Sequence, residues 1–233
     1  MNKRTLVCSV MICLIISIFL PWDSSAKQSI YSKAKSQQIV NKMKSIKKNR
    51  QMILVTASGY GKRAVTIQAF SKNKHSKWSR ILITHGIIGK NGFTHNFSER
   101  SKGSPEGKYT ITRAFGRYKN PGTKLSYHRI TADDVWVDNV HSKYYNSLQS
   151  IRKTHQYSER MNIPQYDYGF VINYNTKIIK GKGSAVFFHI AHGSYTLGCT
   201  ATSKGKLVSL LKWLDPKKKP VIIQTVTKEL NRY

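Results

Sequence analysis

GKGSAVFFHIAHGSYTLGCTATS, residues 181–203, is the stretch whose reading decides both fold and chemistry. Residues 185–191 are apolar except for His189, the pattern of a buried strand bounded by turn residues. A glycine-punctuated loop then delivers Cys199 on the small-residue bend Thr196-Leu197-Gly198-Cys199-Thr200. A histidine on a strand and a cysteine in a tight turn ten positions later are placed to meet across a cleft, as a thiol nucleophile meets its base.

The thiolate is the attacking species, and a free cysteine with a pKa near 8.5 is mostly protonated at neutral pH. An imidazole beside Cys199 is expected to take that proton and hold the two as thiolate and imidazolium. His189 is the leading base: flanked by Phe187, Phe188 and Ile190, its polar ring needs a partner. A histidine satisfied by a backbone carbonyl is the competing reading. His192, beside Gly193 in the loop, is the alternative base. Backbone N–H groups around Gly198 are candidate oxyanion donors, and Gly198 leaves room for close approach of a substrate. Thr196 is placed to hydrogen-bond across the loop. One cysteine with His189 and His192 is an incomplete zinc set, so neither metal nor cofactor is expected.

Around this stretch, Leu207, Leu210, Leu211 and Leu214 recur at helical spacing, with Ser203 placed to cap the start and Asp215-Pro216 to stop it. Residues 221–226 read as a final strand, and residues 168–174 alternate as another. Nearer the N-terminus, the apolar run 52–57 and the alternating segment 64–70 form a predicted hairpin, with a third strand over 78–83. The segment 86–107, rich in Gly, Ser, Asn and charge, is long for a compact domain and is a candidate substrate lip. Residues 114–160, aromatic and polar without a sustained period, read as an insertion beside the cleft carrying short elements only. The fold class is therefore mainly β, a β-sandwich or distorted barrel with one packed helix after the cysteine loop.

Lys3 and Arg4 precede an apolar run over residues 6–20, and Ser24-Ser25-Ala26 follows. This is the pattern of a secretory signal, with cleavage expected after Ala26; retention as an anchor is the alternative. About 207 residues then remain, enough for one domain with a substantial core. The expected organisation is a signal peptide (1–26), a basic extension (27–50), a catalytic domain (51–226) and a tail (227–233). In the extension, Ile39, Met43 and Ile46 recur at helical spacing, which suits a helix lying on an anionic surface or one packed on the domain. Cys8 and Cys13 lie in the presumed signal, so Cys199 stands alone and no stable disulfide is expected.

Order along the chain excludes several thiol enzymes. No histidine follows Cys199, so papain-like peptidases, which place the nucleophile ahead of the base, do not fit. A sortase needs an arginine after its cysteine, and the only one here is Arg232. Residues 181–203, with Leu210-Leu211-Lys212-Trp213-Leu214-Asp215-Pro216, resemble the L,D-transpeptidase (YkuD-type) catalytic domain in a divergent secreted bacterial branch. The likeness extends over residues 51–224 and takes in Ser104-Pro105-Glu106-Gly107-Lys108-Tyr109 and Trp136-Val137-Asp138. The resemblance implies a peptidoglycan-active enzyme in which a stem peptide acylates Cys199 and an amine resolves the thioester. It also implies that His189 is the family histidine, Thr196 the residue before Gly-Cys, and Gly198-Cys199 the nucleophile pair. Ala201 departs from the Arg or Asn that the family carries two residues after its cysteine, and the His–Cys interval is shorter.

The net charge of +30, from 40 Lys and Arg against 10 Asp and Glu, draws polyanions. Export argues against nucleic acid as the partner. The anionic polymers of a bacterial envelope fit both observations, with a compositional lysine bias as the plainer alternative. Two other readings accompany transpeptidation: hydrolysis at the same site by an L,D-carboxypeptidase or endopeptidase, and a non-catalytic envelope-binding protein.

Overall fold

The computed structural model describes residues 32–155 and 158–233. The apolar run 6–20, the expected cleavage after Ala26 and Tyr157 lie outside them. Residues 52–57 read as unbroken hydrophobic sequence because strand β1 (Gln51–Ala57) has a core on each face. Ile53, Val55 and Ala57 enter the main core, while Met52 and Leu54, one residue out of phase, enter a second core on the opposite side. β2 (Ala64–Lys72) returns antiparallel to β1 as the hairpin pattern predicts, and β3 (Trp78–Ile87) pairs with β2 beyond the predicted end at 83. An irregularity at Ala69/Phe70 shifts their register, and Ile81 is left half exposed.

The predicted long loop carries only the short pair β4 (Phe93–Thr94) and β5 (Ser104–Pro105). β6 (Gly107–Thr110), β7 (Arg113–Gly116) and β8 (Ser126–Arg129) rejoin the main sheet, so the first part of the expected insertion 114–160 belongs to that sheet, β7 pairing with the later strand Gly169–Val171. The aromatic segment then contributes β9 (Asp134–Trp136), β10 (Leu148–Ser150) and β11 (Glu159–Arg160), a small sheet of its own. β12 (Gly169–Val171), β13 (Phe187–Ile190), β14 (Thr200–Thr202) and β15 (Val221–Val226) complete the set. Ten of these strands make one curled sheet in the order β6-β15-β1-β2-β3-β14-β13-β12-β7-β8. The fold is mainly β, a distorted half-barrel.

Two helices flank the sheet. One, α1, spans Lys33–Lys42; the other, numbered α3 after the single turn α2 (Ile151–Thr154), spans Lys204–Trp213. The leucine stripe of α3 enters the main core as its spacing predicts. Ser203 sits at the N-cap, but its hydroxyl makes no capping bond. Asp215 instead caps the following turn, accepting from the Lys217 N–H at 2.9 Å.

The expected helix through Ile39, Met43 and Ile46 ends earlier than the spacing suggests. Met43 is already extended, at φ −65° and ψ 122°, and Ile46 lies in the next turn. Val40, Met43 and Ile46 are all buried in the second core, against Met52, Leu54, Phe70, Trp78 and Ile223. These side chains face the sheet, not an outside surface. The C-terminal residues, expected as a tail, form a 3₁₀ turn over Thr227–Arg232 that adds Leu230 to the same core. Ile46→Ala is expected to cost about 2–5 kcal/mol, read from the urea midpoint. An unchanged midpoint would mean that this segment does not belong to the folded unit.

Candidate active site

β13 and β14 run parallel, with Phe188 opposite Thr200 and His189 opposite Ala201. Continued by one residue, that register sets Cys199 beside Phe187. Because side chains alternate along a strand, Phe187, His189, Cys199 and Ala201 share one face. Adjacent strands lie about 4.8 Å apart and two residues rise about 6.6 Å, so the Cys199 and His189 side chains are diagonal neighbours. Both line a cleft of about 320 Å³.

Each member of the pair is tethered to backbone. Cys199, 8 % exposed, accepts the Phe187 N–H at 3.3 Å and donates its S–H to the Ala185 carbonyl at 3.3 Å. Ala185 holds that carbonyl in place from a left-handed conformation, φ 51°. His189 Nδ1 lies 2.8 Å from the Ile190 carbonyl. A carbonyl only accepts, so Nδ1 carries the proton and Nε2, without a partner among the described residues, is the basic nitrogen. The carbonyl bond that argued against a catalytic histidine is thus present, and it sets the tautomer a base needs. The Tyr166 ring packs edge-on to His189, centroids 5.3 Å apart.

The electrostatics correct the expected ion pair. Burial pushes the Cys199 thiol up to about 12; the Phe187 N–H opposes this and the Glu159 carboxylate adds to it. Burial also lowers His189, with the Ile190 bond acting the other way. Both shifts disfavour charge, and the thiol proton goes to Ala185 and not to the imidazole. The resting pair is neutral thiol and neutral imidazole, because each buried group gains less solvation on ionising than it would in water.

The bend carrying Cys199 is pinned from both sides. Thr196 Oγ1 donates to the Cys199 carbonyl at 2.6 Å and accepts the Gly198 N–H at 3.2 Å. Ser104 on β5 accepts the Gly89 N–H at 2.9 Å and donates toward the Gly198 and Cys199 carbonyls at 2.7 and 3.1 Å. The Gly198 N–H is therefore engaged, and the Cys199 N–H is the bend donor with no partner among the described residues. Gly198 leaves room for a ring of the protein itself: a Cβ there would lie 2.9 Å from Phe97, and one on Gly183, at φ +98°, would lie 2.3 Å from it. His192 lines the cleft from an exposed loop and hydrogen-bonds to none of the described residues.

Sequence reading assigned no role to Ser104, Phe97, Tyr166 or Glu159. Phe97 arrives on the predicted lip, the segment that closes one side of the cleft. Tyr166 and Glu159 flank the other side, the Tyr166 hydroxyl donating to Glu159 Oε1 at 2.8 Å. Among the described residues no group of three or more His, Cys, Asp or Glu side chains is arranged to hold a metal ion.

A thiol and an oriented imidazole on one face of a curled β-sheet, under a lip, define a cysteine–histidine cleft of the kind that handles acyl groups. The L,D-transpeptidase catalytic domain family, YkuD, matches residues 62–223, more than half of the chain, and the chain belongs to that family. The family is one of enzymes, L,D-transpeptidases, acting on peptidoglycan stem peptides. Comparison with curated proteins and with solved structures gave no match.

Iodoacetamide at pH 6 is expected to alkylate Cys199 more slowly than a free thiol, with the rate climbing through the alkaline range; intact-mass time courses measure this. Rapid alkylation at pH 6 would restore the ion pair. Gly198→Ala is expected to destabilise by about 1–3 kcal/mol as its methyl meets Phe97, read as a lowered thermal midpoint.

Proposed function

We propose that the chain is an exported L,D-transpeptidase working through a Cys199 thioester. The observation that carries the reading is the register of β13 on β14, which sets His189 and Cys199 on one face of one cleft with Nε2 available. Substrate binding excludes water and brings the carbonyl carbon to Sγ. Nε2 takes the thiol proton as sulfur attacks, and the Cys199 N–H meets the oxygen as it becomes an oxyanion. Collapse breaks the C–N bond to the terminal residue, and the departing amine takes the proton from His189. An amine nitrogen of a second stem peptide then attacks the thioester carbon and the C–S bond breaks. The proton lost from that nitrogen returns through His189 to sulfur.

Export is the reading of the N-terminal run at residues 6–20. The net charge of +30 supports attraction to anionic envelope polymers, which raises the enzyme's concentration at the wall. His189 is preferred over His192 as base because its ring is fixed by Ile190 and Tyr166.

Incubation with a purified tetrapeptide is expected to add to Cys199 the mass of the peptide less its terminal residue. Cys199→Ala should give no adduct and no turnover. His189→Ala should slow acylation by about 10²–10⁴. Turnover by the Cys199→Ala protein would remove the thioester.

A further inference from the structure

The chain carries 10 carboxylate side chains against 40 Lys and Arg. Asp23 lies outside the described residues. Of the other nine, Glu106, Asp133, Asp134, Asp167, Asp215 and Glu229 each have a basic side chain within 4.0 Å. The three with none among the described residues are Glu99, Asp138 and Glu159, and all three line the cleft. Among the described residues no Lys or Arg lines it. In so cationic a protein, the acids left unpaired among the described residues are those lining the cleft that holds the thiol.

Their surroundings hold them in position without cancelling their charge. The Tyr145 hydroxyl donates to Glu99 and the Tyr166 hydroxyl to Glu159, both neutral donors. Asp138 has no side-chain partner among the described residues. Burial raises the pKa of both Asp138 and Glu159, and Asp138 adds to the shift at Glu159. A second observation comes from Ser184, 6 % exposed on the same cleft wall. Its Oγ neighbours the Tyr145 phenol but makes no hydrogen bond of proper geometry, so a buried hydroxyl there lacks a partner. Carboxylates lacking a cation and a hydroxyl lacking a partner are both met by a group with several N–H donors and a positive charge, which describes a primary ammonium.

We infer that Glu99, Asp138 and Glu159 form a subsite for the primary ammonium of an amine-bearing stem-peptide side chain, beside Cys199. The inference rests on the transpeptidase reading above and adds what the cleft selects. Glu159 is also one of the groups that hold the thiol protonated. An ammonium seated there offsets its charge, so the substrate that fills the subsite also eases ionisation of sulfur. The ammonium belongs either to the donor peptide or to the acceptor, where it passes one proton to a subsite carboxylate before its nitrogen attacks, and the two steps of the reaction separate these sources.

The test is single-turnover mass spectrometry on the full chain. In the first arm, two tetrapeptides differing only by acetylation of the side-chain amine acylate Cys199. In the second, the preformed thioester is chased with an amine-bearing peptide or with hydroxylamine, which is neutral at pH 7. A donor ammonium slows acylation by the acetylated peptide about tenfold, the scale of one charge-assisted hydrogen bond. An acceptor ammonium instead makes the peptide-to-hydroxylamine rate ratio fall about tenfold in Asp138→Asn/Glu159→Gln. In either case the double variant loses the discrimination, and the conservative Glu159→Gln keeps an acceptor for Tyr166. A wild-type protein acylated equally by both peptides, with a chase ratio unchanged in the variant, overturns the subsite and leaves the thioester standing. Should the variants not fold, the wild-type acetylation comparison and the salt dependence of its chase ratio decide: indifference in both overturns the subsite. No adduct from any peptide removes the thioester reading and the subsite together.

Discussion

The parallel pairing of β13 with β14 is the constraint on which the site depends. Parallel neighbours need a crossover, and here residues 191–199 make it with no helix, as a tight loop that doubles as the nucleophile bend. A shift of one residue in that register would turn Cys199 to the opposite face and leave His189 without it. The register is fixed by what lies on each side. β3 flanks β14, β12 flanks β13, and Phe188 and Phe170 stack in the main core with ring centroids 4.7 Å apart. The α3 leucines follow immediately from Ser203, so the cysteine loop is held between a strand and a helix that both insert into that core.

Within that frame the resting chemistry is subdued. A thiol bonded to Ala185 and Phe187 and an imidazole bonded to Ile190 are each satisfied by backbone, not by one another. Such an arrangement stores the reactants uncharged in a place where charge is expensive. In the proposed mechanism the substrate completes the electrostatics, by displacing water and by bringing its own dipoles beside the thiol. Glu159 pushes the same way, since it opposes thiolate formation and no Lys or Arg among the described residues lines the cleft.

The sequence made the strands legible wherever one face or both faces were apolar. β1, β2, β15 and the α3 stripe are read from periodicity because each packs against a continuous core. Cys199 and His189 were legible for a different reason: a polar residue in an apolar run and a lone thiol in a glycine bend both need explaining. Phe97, Tyr166 and Glu159 were not, because they reach the cleft from segments with no period, and only tertiary contact brings them there. The protonation state was also invisible. It depends on burial and on which backbone groups lie within reach of Sγ, and spacing reports neither. The end of α1 was misplaced because Met43 and Ile46 keep the same apolar spacing after the backbone has left the helix.

Phe97 has one further consequence. Its ring is wedged between Gly183, which leads into β13, and Gly198, which precedes the nucleophile, while its own backbone belongs to the lip. It also meets Tyr174 edge-on at 5.2 Å. One aromatic plate therefore packs against three separate loops at once. The width of the cleft mouth is thus set at one point, where a single phenyl ring spaces the lip from the nucleophile bend.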